Sequence, residues 1–293
     1  MSLEVVRPGP LSLVQDAGRP GLAAIGVSPS GAADRAAFVA GSLLVGNDAR
    51  HAAVEVTLGG LSVRALAPLT VALTGAACPA TVDGSPVAWG RPFLLGAGEL
   101  LTLGLPREGL RSYLSVAGGI DVPPVLGSRS TDVLSGLGPP RLSAGMLLPV
   151  GAVFPERDEG PPTVPGELVS ATLPAPDDRP PTLELLPGPR TDWLADAGAL
   201  ATTWTVSADS NRVGIRLTGT VLDRSPSRVG AELPSEPLVR GAVQLPPSGQ
   251  PVVFGPDHPT TGGYPVVAVL TEAASDRLAQ CRPGDRITLV WSG

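Results

Sequence analysis

Short apolar runs separated by glycine and proline dominate the chain. Between positions 53 and 117 these runs read VEVTL, LSVRAL, LTVALTG, ATVDG, PVAW, LLTLGL and RSYLSV. Runs of this length, rich in Val, Leu and Thr and bounded by turn residues, predict strands. Asp83-Gly84, which lies between two of the runs, predicts a tight hairpin turn. The pattern therefore predicts a mostly-β protein.

Two stretches have helical spacing instead. Apolar residues at positions 36, 37, 40, 43 and 44 predict a helix over residues 33–45. Ser30 suits its N-cap and Asp34 its first turn, where the helix dipole favours a negative charge. A second helix is predicted over residues 270–280, with Thr271 as its cap.

Several short motifs occur twice in the chain. Leu-Glu, Pro-Gly-Pro and Asp-Ala-Gly follow one another in residues 3–18 and again in residues 183–198. The halves also end alike, with AGELLTL at 97–103 and PGDRITL at 283–289. Matched segments in one order indicate an internal duplication, although short motifs also recur by chance in such a composition.

The duplication predicts two similar β domains, at residues 1–154 and 183–293. Between them, residues 155–182 are rich in proline and acids and have little periodicity, so we interpret this segment as a linker. The whole chain has 293 residues, of which 43% are hydrophobic, enough for two cores.

The basic residues are all arginine, 21 in number, and the chain contains no lysine. This excludes a P-loop lysine, a Schiff-base lysine and a biotinylated lysine on this chain. We therefore expect no covalently bound cofactor, and ATP or carboxybiotin, if either takes part, must come through a partner subunit.

The charge and cysteine content narrow the function further. The formal net charge of −6, without a basic block, argues against nucleic acid and anionic membranes as partners. Two scattered cysteines and two histidines do not form a zinc motif, so no metal is expected. The chain does not open with a signal peptide pattern, and its longest uncharged run is broken by proline and glycine, so we expect a cytoplasmic protein.

Polar residues of possible functional interest are most concentrated in residues 244–265, which read QLPPSGQPVVFGPDHPTTGGYP. It lies between two apolar runs that read as strands, an arrangement that often carries a binding site. The glycine pair permits close approach of a ligand, and the prolines stiffen the loop. An ordinary Gly/Pro hairpin is the alternative interpretation. The polar and glycine residues of interest are Asp257, His258, Thr260, Thr261, Gly262, Gly263 and Tyr264.

Several motifs in a fixed order resemble one protein family, which comprises allophanate hydrolase subunit 2, urea amidolyase-related proteins and the C subunit of 5-oxoprolinase. The matching segments are QDAGRPG, SGAADRAA, LLVGN, AVEVTLGG, GLRSYLSVAGGID, LGSRSTD, SNRVGIRLTG, Ser235-Glu236, QLPPSGQPVV and TTGGYP. The resemblance implies two cyclophilin-like β-barrel domains. It also implies a partner of the subunit 1 or B-type subunit family, which is homologous to a sporulation-kinase inhibitor.

The reaction that the resemblance implies is ATP-dependent opening of the 5-oxoproline lactam to glutamate, in which a third, lactam-utilisation subunit takes part. For this chemistry Asp257 is the candidate general base, close to Thr260, Thr261 and Tyr264. Backbone N–H groups around Gly262-Gly263 are candidate oxyanion donors. His258 is either a proton shuttle or a solvated loop histidine.

The candidate carboxylate clamps are Arg19, Arg111 and Arg212, because a guanidinium can form a two-bond fork. An ordinary ion pair is the alternative for each. Arg212 and Arg216, four apart, would share a face if both lay in a strand. The first-half segments QDAGR and SGAAD add the candidate substrate-binding residues Asp16, Ser30 and Asp34, and we expect them to share a cleft with the TTGGYP loop.

Two other functions are compatible with the same resemblance. One is a carboxyltransferase subunit of a biotin-dependent urea carboxylase or allophanate hydrolase system, which receives carboxybiotin from another protein. The other is a regulatory antagonist that binds a kinase-inhibitor-like partner. Many relatives have asparagine where this chain has Gly41, and Arg-Gln where it has His258-Pro259, so two amides that suit a urea-like substrate are missing here.

Overall fold

The computed structural model describes residues 1–152 and 180–293, and the chain divides into two compact units. Unit 1 contains Met1–Arg19, Ser30–Asp132 and residues 136–152. Unit 2 contains Pro20–Pro29, Val133–Ser135 and residues 180–293. Two short segments from the first half of the sequence therefore belong to unit 2. Residues 155–179 of the predicted linker lie outside the residues that the structure describes. The domain boundaries at 154 and 183 stay a prediction.

Unit 1 consists of two antiparallel sheets that enclose one core. The six-stranded sheet has the order β11-β1-β4-β9-β6-β7 and the five-stranded sheet the order β2-β3-β10-β5-β8. Their bounds are β1 Ser2–Pro8, β2 Leu11–Gln15, β3 Ala53–Thr57, β4 Leu61–Ala65, β5 Leu69–Gly75, β6 Ala80–Val82, β7 Ser85–Pro86, β8 Pro92–Leu95, β9 Leu100–Leu103, β10 Arg111–Val116 and β11 Leu147–Pro149.

The alternation of side chains along these strands explains the core of unit 1. Leu3 and Val5 of β1 and Val54 and Val56 of β3 are completely buried in the same cluster, since residues two apart in a strand face the same side. Every residue of β10 is buried, because the second face of its sheet is also covered. Helix α1 (Arg35–Leu44) supplies that cover, with Phe38 packed edge-on against Tyr113 at 6.4 Å between ring centroids.

Helix α1 begins at Arg35, with Asp34 as its N-cap rather than in its first turn. The Asp34 carboxylate accepts from the Ala37 N–H at 2.9 Å. The prediction that Ser30 caps this helix is wrong. The N–H groups before the helix are held by the sheet instead, Ala33 by the Glu55 carboxylate and Asp34 by the Tyr113 hydroxyl, each at 2.8 Å.

A close approach of α1 to the sheet explains Gly41. A Cβ at this position would lie 2.6 Å from Ser115 Oγ and 2.8 Å from Thr74 Oγ1. Contacts this short mean that any larger side chain at position 41 would displace the Ser115 and Thr74 hydroxyls. Position 41 belongs to the packing of the helix on β5 and β10.

Unit 2 is a closed seven-stranded barrel with the order β12-β19-β16-β17-β14-β13-β20, with a separate two-stranded ladder, β15-β18. A parallel pairing between β12 and β20 completes the closure. The bounds are β12 Thr182–Pro187, β13 Thr203–Val206, β14 Gly214–Thr218, β15 Glu236–Pro237, β16 Ala242–Gln244, β17 Val252–Phe254, β18 Thr261–Gly262, β19 Val266–Leu270, β20 Arg286–Trp291 and the helix α2 Glu272–Leu278.

The structure confirms most of the predicted local elements and the mostly-β fold. Thr271 caps α2, accepting from the Ala274 N–H at 3.3 Å. Asp83 and Gly84 both have positive φ, 46° and 85°, as a type I′ turn requires. In the described part of the chain, no helix has the length and apolar character needed to cross a bilayer.

In both units the aspartate of the repeated Asp-Ala-Gly motif accepts from the N–H of the motif's glycine, but the backbones differ, since Gly18 has φ 87° whereas Gly198 lies in a 3₁₀ helix, Ala197–Leu200. The Asp16 carboxylate accepts from the Gly18 N–H at 2.8 Å, and the Asp196 carboxylate accepts from the Gly198 N–H at 2.8 Å. The repeated closing segments, however, have different neighbours. Strand β9 pairs with β4 and β6, whereas β20 pairs with β12 and β13. The hydrogen bond that the two copies share agrees with the duplication, which stays a prediction.

Candidate functional site

The polar loop between β17 and β19 in unit 2 is folded back on itself and anchored on several sides. Strand β18, within the loop, pairs with β15, so that Gly262 lies opposite Glu236. The Thr260 carbonyl accepts from the Leu238 N–H at 2.9 Å, and the Gln244 side chain donates to the Tyr264 carbonyl at 2.8 Å. The loop is therefore held in one conformation rather than hanging as a free hairpin.

Asp257 is fully buried in an ion pair with Arg212. Nε of Arg212 lies 2.8 Å from Oδ2 and Nη2 lies 3.1 Å from Oδ1, a two-bond fork. The backbone repeats the contact, because the Asp257 N–H donates to the Arg212 carbonyl at 3.2 Å. Arg212 lies in a bend before β14 and is 2% exposed, whereas Arg216 in β14 is exposed. The prediction that the two arginines share a face is therefore wrong.

Both short first-half segments of unit 2 contact this loop. The Val133 N–H donates to Asp257 Oδ2 at 3.1 Å, and the Ser28 hydroxyl donates to the Pro256 carbonyl at 3.3 Å. The Asp257 carboxylate thus accepts at least three N–H bonds. Charge-assisted bonds of this kind fix a carboxylate firmly.

The remaining loop residues divide into buried and exposed groups. His258 is 3% exposed, with Nδ1 2.8 Å from the Pro259 carbonyl, so the interpretation as a solvated histidine is wrong. Thr260 is half-buried, whereas Thr261, Gly263 and Tyr264 are exposed, Tyr264 to 46%. A ligand can therefore reach Tyr264, the Thr261 hydroxyl and the backbone between them.

Gly262 and Gly263 have different roles, and neither has a left-handed φ. A Cβ on Gly262 would lie 2.7 Å from Gln244 Nε2 and 2.9 Å from Leu238 Cδ1, whereas a Cβ on Gly263 would meet only the Leu233 carbonyl at 3.7 Å. The first glycine is required by close approach, and the second has room.

We expect Gly262→Ala to lower stability by about 1–3 kcal/mol, because the added methyl overpacks the site and displaces the Gln244 amide from the Tyr264 carbonyl. Gly263→Ala is the matched control, with an expected change within about 0.5 kcal/mol. Thermal unfolding of the two variants beside the parent chain measures this. Equal melting temperatures for both variants would contradict the close-packing argument.

A cavity of about 350 Å³ lies beside the loop within unit 2. Trp193, Arg224, Glu232, Leu233 and Tyr264 are among its lining residues. A volume of this size and a mixture of aromatic, apolar and charged walls are typical of small-molecule sites.

In unit 1, the Asp16 carboxylate forms the centre of a buried polar network. It accepts from the hydroxyls of Ser128 and Ser130 at 2.6 Å each, from the Arg129 N–H at 2.6 Å and from the Gly18 N–H at 2.8 Å. Four donors fill the ordinary accepting capacity of a carboxylate. Asp16 therefore organises its loop, and direct substrate binding by this residue stays a prediction.

Arg19 differs from the other two candidate arginines. Its guanidinium is 2% exposed and donates to the carbonyls of Val125 at 3.3 Å and Ser130 at 2.5 Å. Nη1 has no hydrogen-bond partner among the residues that the structure describes. Arg19 thus keeps donor capacity.

The SGAAD segment packs on the QDAGR segment inside unit 1. A Cβ on Gly31, which has φ 95°, would lie 3.0 Å from the Ala17 carbonyl carbon. Ser30 is fully buried with φ 50°, and its hydroxyl donates to the Thr131 carbonyl at 3.3 Å. A positive φ is uncommon outside glycine, so this turn is strained.

Arg111 and Asp34 belong to a second buried group. Nε of Arg111 lies 3.5 Å from Glu55 Oε1, and the Tyr113 hydroxyl donates to Glu55 Oε2 at 2.8 Å. Burial and the neighbouring Glu55 charge raise the pKa of Tyr113 well above its usual value, so the hydroxyl stays protonated. This group joins the sheet to the start of α1.

Nucleophilic cysteine and metal chemistry find no support in the described ranges. Burial raises the pKa of the Cys78 thiol to about 11, so the thiolate is scarce at neutral pH. Over residues 1–152 and 180–293, no three or more His, Cys, Asp or Glu side chains form a group that could hold a metal ion.

Comparison with known proteins places the chain in a family. The family described as "Carboxyltransferase domain, subdomain A and B" matches residues 25–291. The chain belongs to this carboxyltransferase family. It is 41% identical to the C subunit of 5-oxoprolinase from Escherichia coli (strain K12), over 98% of this chain and 90% of that protein. It is 32% identical to urea amidolyase of Saccharomyces cerevisiae, over 99% of this chain but 16% of that protein.

Solved structures extend the likeness to three dimensions. The crystal structure of Kluyveromyces lactis urea amidolyase matches with a TM-score of 0.90 and 29% identity, over 100% of this chain and 19% of that one. This member of the carboxyltransferase family thus spans about a fifth of the length of the urea amidolyases it resembles.

Sequence reasoning missed four residues around the loop: Arg190, Trp193, Arg224 and the anchoring role of Gln244. Arg190 forms an ion pair with Glu236, the acid of the Ser235-Glu236 motif, and the hydrogen bond from its guanidinium lowers the pKa of that carboxyl. Gln244 opens the QLPPSGQPVV motif, so the motif itself was the available signal. No pattern in the sequence pointed to Arg224.

Proposed function

We propose that the chain is a subunit of an ATP-dependent 5-oxoprolinase, which opens the lactam of 5-oxoproline to glutamate. The observation that carries the proposal is the 41% identity to the C subunit of a 5-oxoprolinase across nearly the full length of both proteins. A second protein of the same name, from Haemophilus influenzae, is 33% identical over 94% of this chain and 86% of its own length.

The proposed enzyme is an assembly rather than this chain alone. A partner similar to the B-type subunit and a third, lactam-utilisation subunit complete it, and ATP enters through those subunits. The absence of lysine supports this division, since a phosphate-binding lysine must then lie on another chain.

The exposed part of the β17–β19 loop is the proposed reaction site. Opening an amide requires donors for the negative charge that develops on the carbonyl oxygen. We assign this role to the backbone N–H groups around Gly262-Gly263, and the exposed residues Thr261 and Tyr264 offer hydroxyls at the surface. Thr260 is half-buried and turns its carbonyl to Leu238.

For Asp257 we propose a positioning role in this site. Its two oxygens already bind the Arg212 fork and the Val133 N–H, and the side chain is completely buried. A general base must reach the proton it removes, either directly or through a water. The base role inferred from the sequence remains open to test by substitution.

A carboxyltransferase is the second candidate, and the family match and the K. lactis urea amidolyase structure favour it. In that case a partner delivers carboxybiotin and a small amide or urea accepts the carboxyl group. The third candidate is a regulatory antagonist that binds a kinase-inhibitor-like protein. It has only the expected partner in common with the other two candidates.

The experiment is reconstitution with the two other subunits. We expect this chain and the partner similar to the B-type subunit to elute as one peak in size-exclusion chromatography at micromolar concentration. ATP-dependent glutamate release from 5-oxoproline should require this chain, and its omission should abolish the reaction. Two separate elution peaks, together with turnover that does not fall when this chain is omitted, would contradict the proposal.

A further inference from the structure

The cavity beside Tyr264 has a charged residue that the β17–β19 loop does not use. Arg224 faces Trp193, with its guanidinium carbon 5.6 Å from the ring centroid. The two residues are held together by the backbone, since Leu194 and Arg224 form an antiparallel bridge and the Ser225 N–H donates to the Trp193 carbonyl at 2.8 Å. The fold therefore holds the backbone of Arg224 beside Trp193.

Arg224 has unused binding capacity. Nη2 makes a long bond, 3.3 Å, to the Leu245 carbonyl, and buried Nε has no hydrogen-bond partner in residues 1–152 or 180–293. No carboxylate of those ranges lies within ion-pair distance of it. Arg228 lies 5.3 Å from the same ring but is paired with Asp192 at 2.8 Å. Arg224 also lines the cavity, so its guanidinium is available to an acceptor bound there.

The other walls of the cavity define the rest of the ligand. Tyr264 presents an exposed ring and Leu233 an apolar side chain, while Glu232 offers a carboxylate that can accept an N–H. A volume of about 350 Å³ holds a single small ring. A neutral, ring-free molecule such as urea would leave both the apolar walls and the Arg224 charge unmatched.

We propose that this cavity binds a small lactam that carries a carboxylate, and that Arg224 is the residue that recognises the carboxylate. The proposal rests on the proposed function and extends it, because it assigns the anionic end of the substrate to a residue outside the family motifs. Arg224 then determines specificity between an anionic lactam and a neutral amide.

The test compares Arg224→Gln with Arg228→Gln in the reconstituted assembly. Arg224→Gln should raise KM for 5-oxoproline by about tenfold to a hundredfold with little change in kcat, the signature of lost uniform binding. Arg228→Gln should change KM less than about twofold, because its ion pair is exposed. Arg224→Lys, which keeps the charge but not the fork, should lie between them and gives the result if the glutamine variant fails to fold.

A second ligand separates recognition from general damage. 2-Pyrrolidinone has the lactam ring without the carboxylate, so its inhibition of the parent and of Arg224→Gln should be equal. Equal KM values for Arg224→Gln and Arg228→Gln would overturn the proposal. So would an equal loss of affinity for both lactams.

Direct binding distinguishes failure of the cavity from failure of the proposed reaction. Ligand-observed NMR with the full chain and 5-oxoproline should show binding that Arg224→Gln abolishes, even if no turnover is found. Binding that depends on Arg224, without turnover, would support the cavity as a lactam site and contradict the proposed oxoprolinase function. Turnover that is unchanged by substitution of Arg224 would support the oxoprolinase function and contradict the role of the cavity.

Discussion

Asp257→Asn should destabilise unit 2 by about 3–5 kcal/mol, because it leaves the buried Arg212 guanidinium facing an amide instead of a carboxylate. For a domain of this size, that corresponds to a fall in melting temperature on the order of 10 °C. The loop also loses charge-assisted bonds from Arg212 and the Val133 N–H. Thermal and urea unfolding of the full chain measure the effect.

The control for this prediction replaces both partners. Apolar substitution of a buried ion pair is often close to neutral, so Arg212→Met with Asp257→Leu should recover part of the loss. The parent chain, the single variants Arg212→Met and Asp257→Leu, and the double variant form a double-mutant cycle. The cycle gives the coupling energy between the two side chains. If Asp257→Asn is as stable as the parent but its turnover falls by about 10²–10⁴-fold, Asp257 is the base and the positioning role is wrong.

Asp16→Ala should have a comparable effect in unit 1. It leaves the hydroxyls of Ser128 and Ser130 and the N–H groups of Gly18 and Arg129 without their acceptor. Because each buried unsatisfied donor costs about 1–3 kcal/mol, and relaxation recovers part of the sum, we expect a loss of at least about 3 kcal/mol.

Asp196→Ala is the matched control, since Asp196 is the corresponding aspartate of the repeated Asp-Ala-Gly motif and also accepts from the motif's glycine N–H. Its carboxylate accepts from the Gly198 N–H in an exposed setting, so we expect a loss of about 1 kcal/mol or less. Urea unfolding of both variants gives the comparison. Equal losses for Asp16→Ala and Asp196→Ala would show that the network around Asp16 adds nothing to the turn.

The elements that depend on local pattern were predictable from the sequence. Short apolar runs bounded by turn residues predicted the strands, Asp83-Gly84 predicted the hairpin, and Thr271 predicted the cap of α2. The cap of α1 was misplaced, because Glu55 and Tyr113, far along the chain, hold the residues before the helix. A local rule contains no information about such distant partners.

The parts of the candidate site that lie in recognisable motifs were predictable from the sequence. The polar stretch around Thr261 and Tyr264 is an exposed, anchored loop, as its composition suggested. The pairing of Asp257 with Arg212, 45 positions away, depends on the pairing of β14 with β17 and has no local signal. The same holds for the contact between Trp193, inside the repeated segment 183–198, and Arg224, in a connection without a recognisable motif. The shared cleft with QDAGR and SGAAD stays a prediction.

We propose that this carboxyltransferase-family chain serves lactam opening rather than carboxyl transfer. The most direct measurement supplies the reconstituted assembly with 5-oxoproline and ATP in one reaction and with urea and carboxybiotin in another, and follows glutamate and carboxylated product. We predict ATP-dependent glutamate formation and no carboxylation of urea. Carboxyl transfer to urea without glutamate formation would contradict the claim.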